Sequence, residues 1–164
     1  MLAAAAYLRS RGDVDSARIG LWGGSYGGYL TALGLARNSD LFAVGFDLHG
    51  VHHYGEDAAA ARAQGIGDSA LAWIRRNSPA WDVERWRSPV LLVHGDDDRN
   101  VRFQQTTDLA VRLRRLGVRV EELVFPDDVH GFLRHANWVA AYEAGERFFG
   151  RVLGAAPPVG HPTH

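Results

Sequence analysis

Short apolar runs alternate along this chain with longer stretches of helical periodicity. Val90–His94, framed by Pro89 and Gly95, is almost wholly apolar. Such a run fits a strand of a parallel sheet, buried on both faces. Further strands are predicted at Arg18–Trp22, Ala43–Leu48 and Val118–Phe125, the last stopped by Pro126. Between them the period lengthens. Phe103–Leu116 reads as a helix, with Leu109, Leu113 and Leu116 on one face and Arg112 and Arg115 off it. Gly117 caps it. Helices are also predicted over Leu2–Arg11, ended by Gly12, and over Tyr26 to about Asn38. A last one, His135–Leu153, carries Trp138, Tyr142, Phe149 and Val152 on a shared stripe. Strands separated by helices call for a parallel α/β sheet. The stretch from His49 to Ser88 breaks the rhythm and is too long for a plain connection. Short helices are expected there around Ser69–Asn77 and Val83–Arg87, in an insertion that shapes a substrate pocket.

Composition narrows the picture only a little. The 164 residues suffice for one domain with a real core. A net charge of −1 with 23% charged residues points to neither nucleic acid nor an anionic membrane as partner. Arginine supplies all the basic charge, and the absence of cysteine excludes disulfides and thiolate chemistry. The opening Leu2–Leu8 is apolar but is followed by Arg9 and Arg11, the reverse of a signal peptide, and reads as an amphipathic helix. No segment is long and apolar enough to span a membrane. A cytoplasmic location is expected, with room for a signal peptide in an upstream region. The Pro-rich tail 154–164 is expected to be disordered, which leaves residues 1–153 as the folded domain.

The chemistry is concentrated in Gly23-Gly24-Ser25-Tyr26-Gly27-Gly28-Tyr29. An apolar run precedes it and a helical run follows, which is the strand, sharp turn, helix context of a nucleophile elbow. Glycine is expected to be required at Gly23 and Gly27, where side chains would crowd the strained serine. The N–H of Tyr26 opens the helix and can donate to an oxyanion. A nucleophilic serine needs a base, and the base needs an acid to orient it. On this framework the chain order is serine, acid, histidine. Asp96-Asp97-Asp98 follows the third predicted strand and His130 follows the fourth, so acid and base fall at the same sheet edge as Ser25. A metal site built from His94 and the three aspartates is the competing reading. Consecutive residues converge poorly on one ion, and no further ligand stands at a fixed spacing. His49, His52 and His53 are expected in a solvated loop. Neither a metal nor another cofactor is expected.

These motifs resemble the prolyl oligopeptidase family of serine peptidases. The resemblance rests on the elbow, on His94-Gly95-x-x-Asp98-x-Asn100-Val101, and on Asp128-x-His130-Gly131, and it runs from Leu2 to about Leu153. It implies an α/β-hydrolase fold with Ser25 as nucleophile, Asp98 as the acid and His130 as the general base. It also implies that Asn100 bonds the substrate backbone and that Tyr54 lines a side-chain pocket. The expected reaction is hydrolysis of short peptides through an acyl-enzyme. The family's catalytic domain has about eight strands, whereas about four are predicted here. The chain is therefore expected to be the C-terminal part of a longer enzyme, without its second oxyanion donor and its β-propeller. Two other outcomes follow from that expectation: a catalytically weak fragment that self-associates or pairs with a missing upstream segment, or a small-ester carboxylesterase.

Overall fold

The computed structural model describes residues 1–54 and 58–154. Its strands are β1 (Gly20–Gly24), β2 (Val44–Leu48), β3 (Val90–Gly95) and β4 (Val120–Phe125). They form one parallel sheet in sequential order. The helices are α1 (Leu2–Ser10), α2 (Tyr26–Arg37), α3 (Ala58–Ala63), α4 (Asp68–Arg76), α5 (Gln104–Arg115) and α6 (His135–Leu153). Among the described residues no helix is long and apolar enough to cross a membrane.

The two central strands explain why their sequences run apolar. Every residue of β2 and β3 is buried. Val90 and Leu92 pack with Leu35 of α2 and with Leu109 and Leu113 of α5. Leu91 and Val93 face the other way, with Phe46 and with Phe148 of α6. Helices therefore cover both faces, and the strand C-termini meet at one edge.

Several boundaries differ from the sequence reading for local reasons. The first strand was expected at Arg18–Trp22 but pairs over Gly20–Gly24, from Gly20 opposite Val44 to Gly24 opposite Leu48. Arg18 lies outside the ladder, and its guanidinium donates to Gly154 O at 2.5 Å. The fourth strand starts at Val120, not Val118, because Val118 still belongs to the end of α5. Its N–H bonds Leu113 O while Gly117 N–H bonds Arg114 O, with Gly117 at φ 75°. That is a Schellman cap, which consumes the residue after the glycine. On α6 the buried line is Ala141, Gly145 and Phe148. Trp138, Phe149 and Val152 flank it, and Tyr142 is exposed. In the insertion, α4 lies where a helix is expected, and Val83–Arg85 forms a 3-10 turn after a first one at Pro79–Trp81. The alanine-rich α3 was not anticipated. Of the tail 154–164 that is expected to be disordered, Gly154 is the left-handed cap of α6, its N–H on Gly150 O, and residues 155–164 lie outside the described residues.

The sheet is unevenly finished. Among the described residues β1 has a neighbour on one side only. Trp22, on β1, is 59% exposed and stacks 6.3 Å from Phe46 and edge-on 5.7 Å from Tyr142. These rings line a groove of about 170 Å³ with Gly145, Glu146 and Phe149. At the opposite edge, Glu121 and Glu122 of β4 are ion-paired with Arg119, Arg151 and Arg114. Charge blunts that edge against further pairing, and among the described residues no ion pair involves a residue of β1.

Candidate active site

Ser25 stands between β1 and α2 with φ 55° and ψ −114°. A non-glycine residue there costs on the order of 1–3 kcal/mol, which the surroundings must hold in place. Its N–H is held by Leu48 O at 2.9 Å and by His49 Nδ1 at 3.1 Å. The turn is tight enough that a Cβ on Gly23 would lie 2.6 Å from the Gly27 carbonyl carbon. Gly27 itself is not needed for space, contrary to the sequence reading, since a Cβ there meets nothing within 4 Å. The second close approach is at Gly28, whose Cβ would fall 2.6 Å from both Asp47 Oδ1 and Gly50 Cα. No described acceptor takes the Tyr26 N–H, which opens α2. It remains available to an anion.

Strain gathers at this edge of the sheet. The four non-glycine residues with positive φ among the described residues are Ser25, His49, Asp127 and Phe132. They follow the C-terminal ends of β1, β2 and β4.

The three aspartates separate completely. Asp96 is exposed and accepts the Asp127 N–H at 2.7 Å. Asp97 is exposed and pairs with Arg99. Asp98 turns inward and is buried. Its Oδ1 accepts the N–H groups of Asn100 and Val101 at 2.8 and 2.9 Å. Its Oδ2 lies 2.7 Å from His130 Nδ1 and 3.1 Å from His94 Nε2. Burial pushes the Asp98 pKa up, but the His130 hydrogen bond and the two backbone N–H groups outweigh it, and the net direction is down. A carboxylate at Oδ2 requires His130 to carry its proton on Nδ1, which leaves Nε2 as the acceptor. The loop that presents His130 is tied by Asp128, which accepts from Val129 N, Leu133 N and Asn137 Nδ2.

Among the described residues no hydrogen bond joins Ser25 Oγ to His130. Such bonds are often long before substrate binds and tighten in the reacting complex. His49 touches both partners: its Nδ1 accepts the Ser25 N–H, and its ring centroid lies 4.3 Å from that of His130. Nothing in the sequence flagged His49 for this role, and the expected solvated loop is not found. His49 is 5% exposed and His52 is fully buried. His52 Nε2 meets Asp47 Oδ2 at 3.0 Å, and its Nδ1 donates to Gln105 O at 2.9 Å. Gln105 Oε1 accepts the N–H groups of His52 and His53. The segment after β2 is thereby stapled to α5, and contacts at that sequence separation have no local signature.

Burial has a consequence for acid stability. Desolvation, reinforced by His130 and His94, lowers His49 to about 4. Desolvation and then Arg112 lower His53 to about 4. Both folded values lie below the unfolded value of 6.5, so their contribution is complete above pH 6.5 and lost as pH falls toward 4. Between those values the unfolded chain binds more protons. Denaturant unfolding at pH 7, 6 and 5 should show stability falling by on the order of a few kcal/mol by pH 5, before most carboxylates protonate. A constant stability over that range would show that the two rings are solvated.

Beside Ser25 opens a cavity of about 380 Å³ lined by Tyr26, Tyr29, Tyr54, Trp73, Ile74 and Asn77. Tyr26 stacks 5.3 Å from Tyr29, which meets Tyr54 edge-on at 5.6 Å. The Tyr29 hydroxyl donates to Asn77 O at 2.9 Å and so fixes that wall to the insertion. Tyr54 is one of the rings that line this cavity. Asn100 is exposed and does not line the cavity. Trp73, Ile74 and Asn77 come from the insertion, where only helical periodicity was legible.

A strained serine between a parallel strand and a helix, with acid and histidine loops at the same sheet edge, defines the α/β-hydrolase fold. The model of the prolyl oligopeptidase family matches residues 1–156, and the chain belongs to that family. It is 27% identical to dipeptidyl aminopeptidase BIII of Pseudoxanthomonas mexicana, over 92% of this chain and 24% of that protein. Against dipeptidyl peptidase 4 of Sus scrofa it is 33% identical, over 73% of this chain and 16% of the relative. A puromycin-hydrolyzing peptidase of Mycobacterium tuberculosis superimposes with a TM-score of 0.82 at 28% identity, covering 99% of this chain and 26% of that one. The chain therefore spans about a quarter or less of the length of these relatives.

Proposed function

We propose that this chain carries the nucleophile, acid and base of a serine peptidase acting on short peptides. The observation that carries the reading is the 2.7 Å contact between His130 Nδ1 and the buried Asp98 carboxylate, at the sheet edge that holds the strained Ser25. In this reading Ser25 Oγ attacks the scissile carbonyl while His130 Nε2 takes its proton. The Tyr26 N–H bonds the oxyanion. His130 then returns the proton to the leaving amine, and water hydrolyses the acyl-enzyme by the same route. The aromatic cavity beside Ser25 suits an apolar side chain of the substrate, and the exposed Asn100 side chain is free to bond the substrate backbone. A fluorophosphonate probe tests the reading: labelling at Ser25 is expected, with turnover of a short peptide amide. Labelling with turnover of activated esters alone would leave an esterase.

Activity should follow the base. His130 Nε2 must be unprotonated to accept the serine proton, so kcat/KM is expected to fall on acidification as that nitrogen is protonated. Asp98, with its lowered pKa, stays ionised through that protonation, and His49, near 4, adds no second step. Activity that persists undiminished down to the acid limit of folding would remove His130 as base.

A second reading has an observation of its own, the unpaired edge of β1 with Trp22 exposed beside it. We infer that this edge takes a further strand, and that in the isolated chain a second copy supplies it. Size-exclusion chromatography with light scattering is then expected to give a concentration-dependent dimer, weakened in Trp22→Ser. A monomer at all concentrations would count against it.

A further inference from the structure

His94 is fully buried at the end of β3, and the proposed reaction does not use it. Its hydrogen bonds fix its state. Nε2 lies 2.9 Å from Val101 O, which can only accept, so Nε2 carries the proton. That N–H also reaches Asp98 Oδ2 at 3.1 Å. Burial disfavours the charged ring and sets the direction of its pKa downward, against the pull of Val101 O and Asp98. In the neutral ring Nδ1 accepts, and Thr106 Oγ1 donates to it at 2.7 Å. Asp98 Oδ2 therefore receives two N–H groups, one from His94 and one from His130. A carboxylate oxygen divided between two donors offers less negative charge to each, and the outward N–H dipole of His94 opposes a positive charge on His130.

We propose that His94 is a positioning residue: its Nε2–H, held by Thr106, fixes the Asp98 carboxylate against His130 and restrains the basicity of that histidine. His130 is faced by Asp98 from the loop after β3 and by the ring of His49 from the end of β2. His94 stands behind Asp98, and Asp128, two residues before His130, is occupied by Asn137, Val129 and Leu133. His49, near 4, is neutral through the range in which the effect is read. Asp47 is held by His52 and Gly50 N–H.

The rate consequence rests on the proposed triad; the titration does not. His130 is titrated by heteronuclear NMR in the full chain, as wild type, His94→Leu, His94→Gln and Thr106→Val. In His94→Leu the His130 midpoint moves up. His94→Gln, which can still donate an N–H, brings it back toward wild type, and Thr106→Val moves it up by less. On a peptide amide, kcat falls about tenfold in His94→Leu with KM nearly unchanged, the scale of one lost hydrogen bond to a charged group. A purely structural His94 would lower the unfolding midpoint and leave the His130 titration in place. An unchanged or lowered titration midpoint in folded His94→Leu overturns the proposal. If that variant does not fold, Thr106→Val decides by the same criterion. Absence of Ser25-dependent turnover in wild type would sink the peptidase reading, while the titration series would still test His94.

Discussion

Ser25→Ala is expected to abolish peptide hydrolysis and fluorophosphonate labelling while leaving the fold in place. The change removes one oxygen. It keeps the N–H that Leu48 O and His49 Nδ1 hold, and alanine meets the same positive φ that serine already tolerates. Removing the nucleophile of an assembled triad costs on the order of 10⁶ in kcat. Stability should change by less than about 0.5 kcal/mol, as for substitutions that touch no buried network. Turnover of the purified variant equal to wild type would eliminate the serine mechanism. Loss of activity together with loss of cooperative unfolding would instead implicate the turn. Gly23→Ala should show that second behaviour, because the three atoms nearest its Cβ, all within 2.9 Å, are Gly27 backbone.

Among the aspartates, Asp98→Asn should be by far the most damaging, at about 10⁴ in kcat. The two oxygens of Asp98 have different duties. Oδ1 accepts from the N–H groups of Asn100 and Val101, so an asparagine keeps its carbonyl there. Its amide then occupies the Oδ2 position and points N–H groups at His94 Nε2 and His130 Nδ1. Two donors cannot face each other. His130 is driven to the tautomer with Nδ1 accepting and Nε2 protonated, and a protonated Nε2 cannot take the serine proton. Asp97→Asn removes only an exposed pair with Arg99 and should cost little. Asp96→Asn retains an acceptor for the Asp127 N–H and should be similarly mild. Steady-state kinetics of the three variants in parallel decide the assignment. Asp97→Asn as the worst of the three would move the acid to that position.

Local pattern by itself determined a good deal here. The apolar run of β3 announced a central parallel strand because both its faces are covered. The elbow was legible because its tight turn and following helix are short-range constraints. The order Ser25, Asp98, His130 followed from loops that end successive strands, and the matching family motifs singled out Asp98. Only the tertiary structure turned Asp98 inward and left Asp96 and Asp97 in solvent. It also buried His49 and His52, which read as solvated loop residues: His49 Nδ1 takes the Ser25 N–H, and His52 is held by Gln105 and by Asp47. The aromatic cavity required the insertion to fold back onto α2, and the role of Gly28 required Asp47 and Gly50 to approach it. Periodicity reports which face of an element is buried. Which partner lies across that face, and which polar atom it satisfies, is settled chiefly by contacts between distant segments, such as Gln105 with the backbone of His52 and His53.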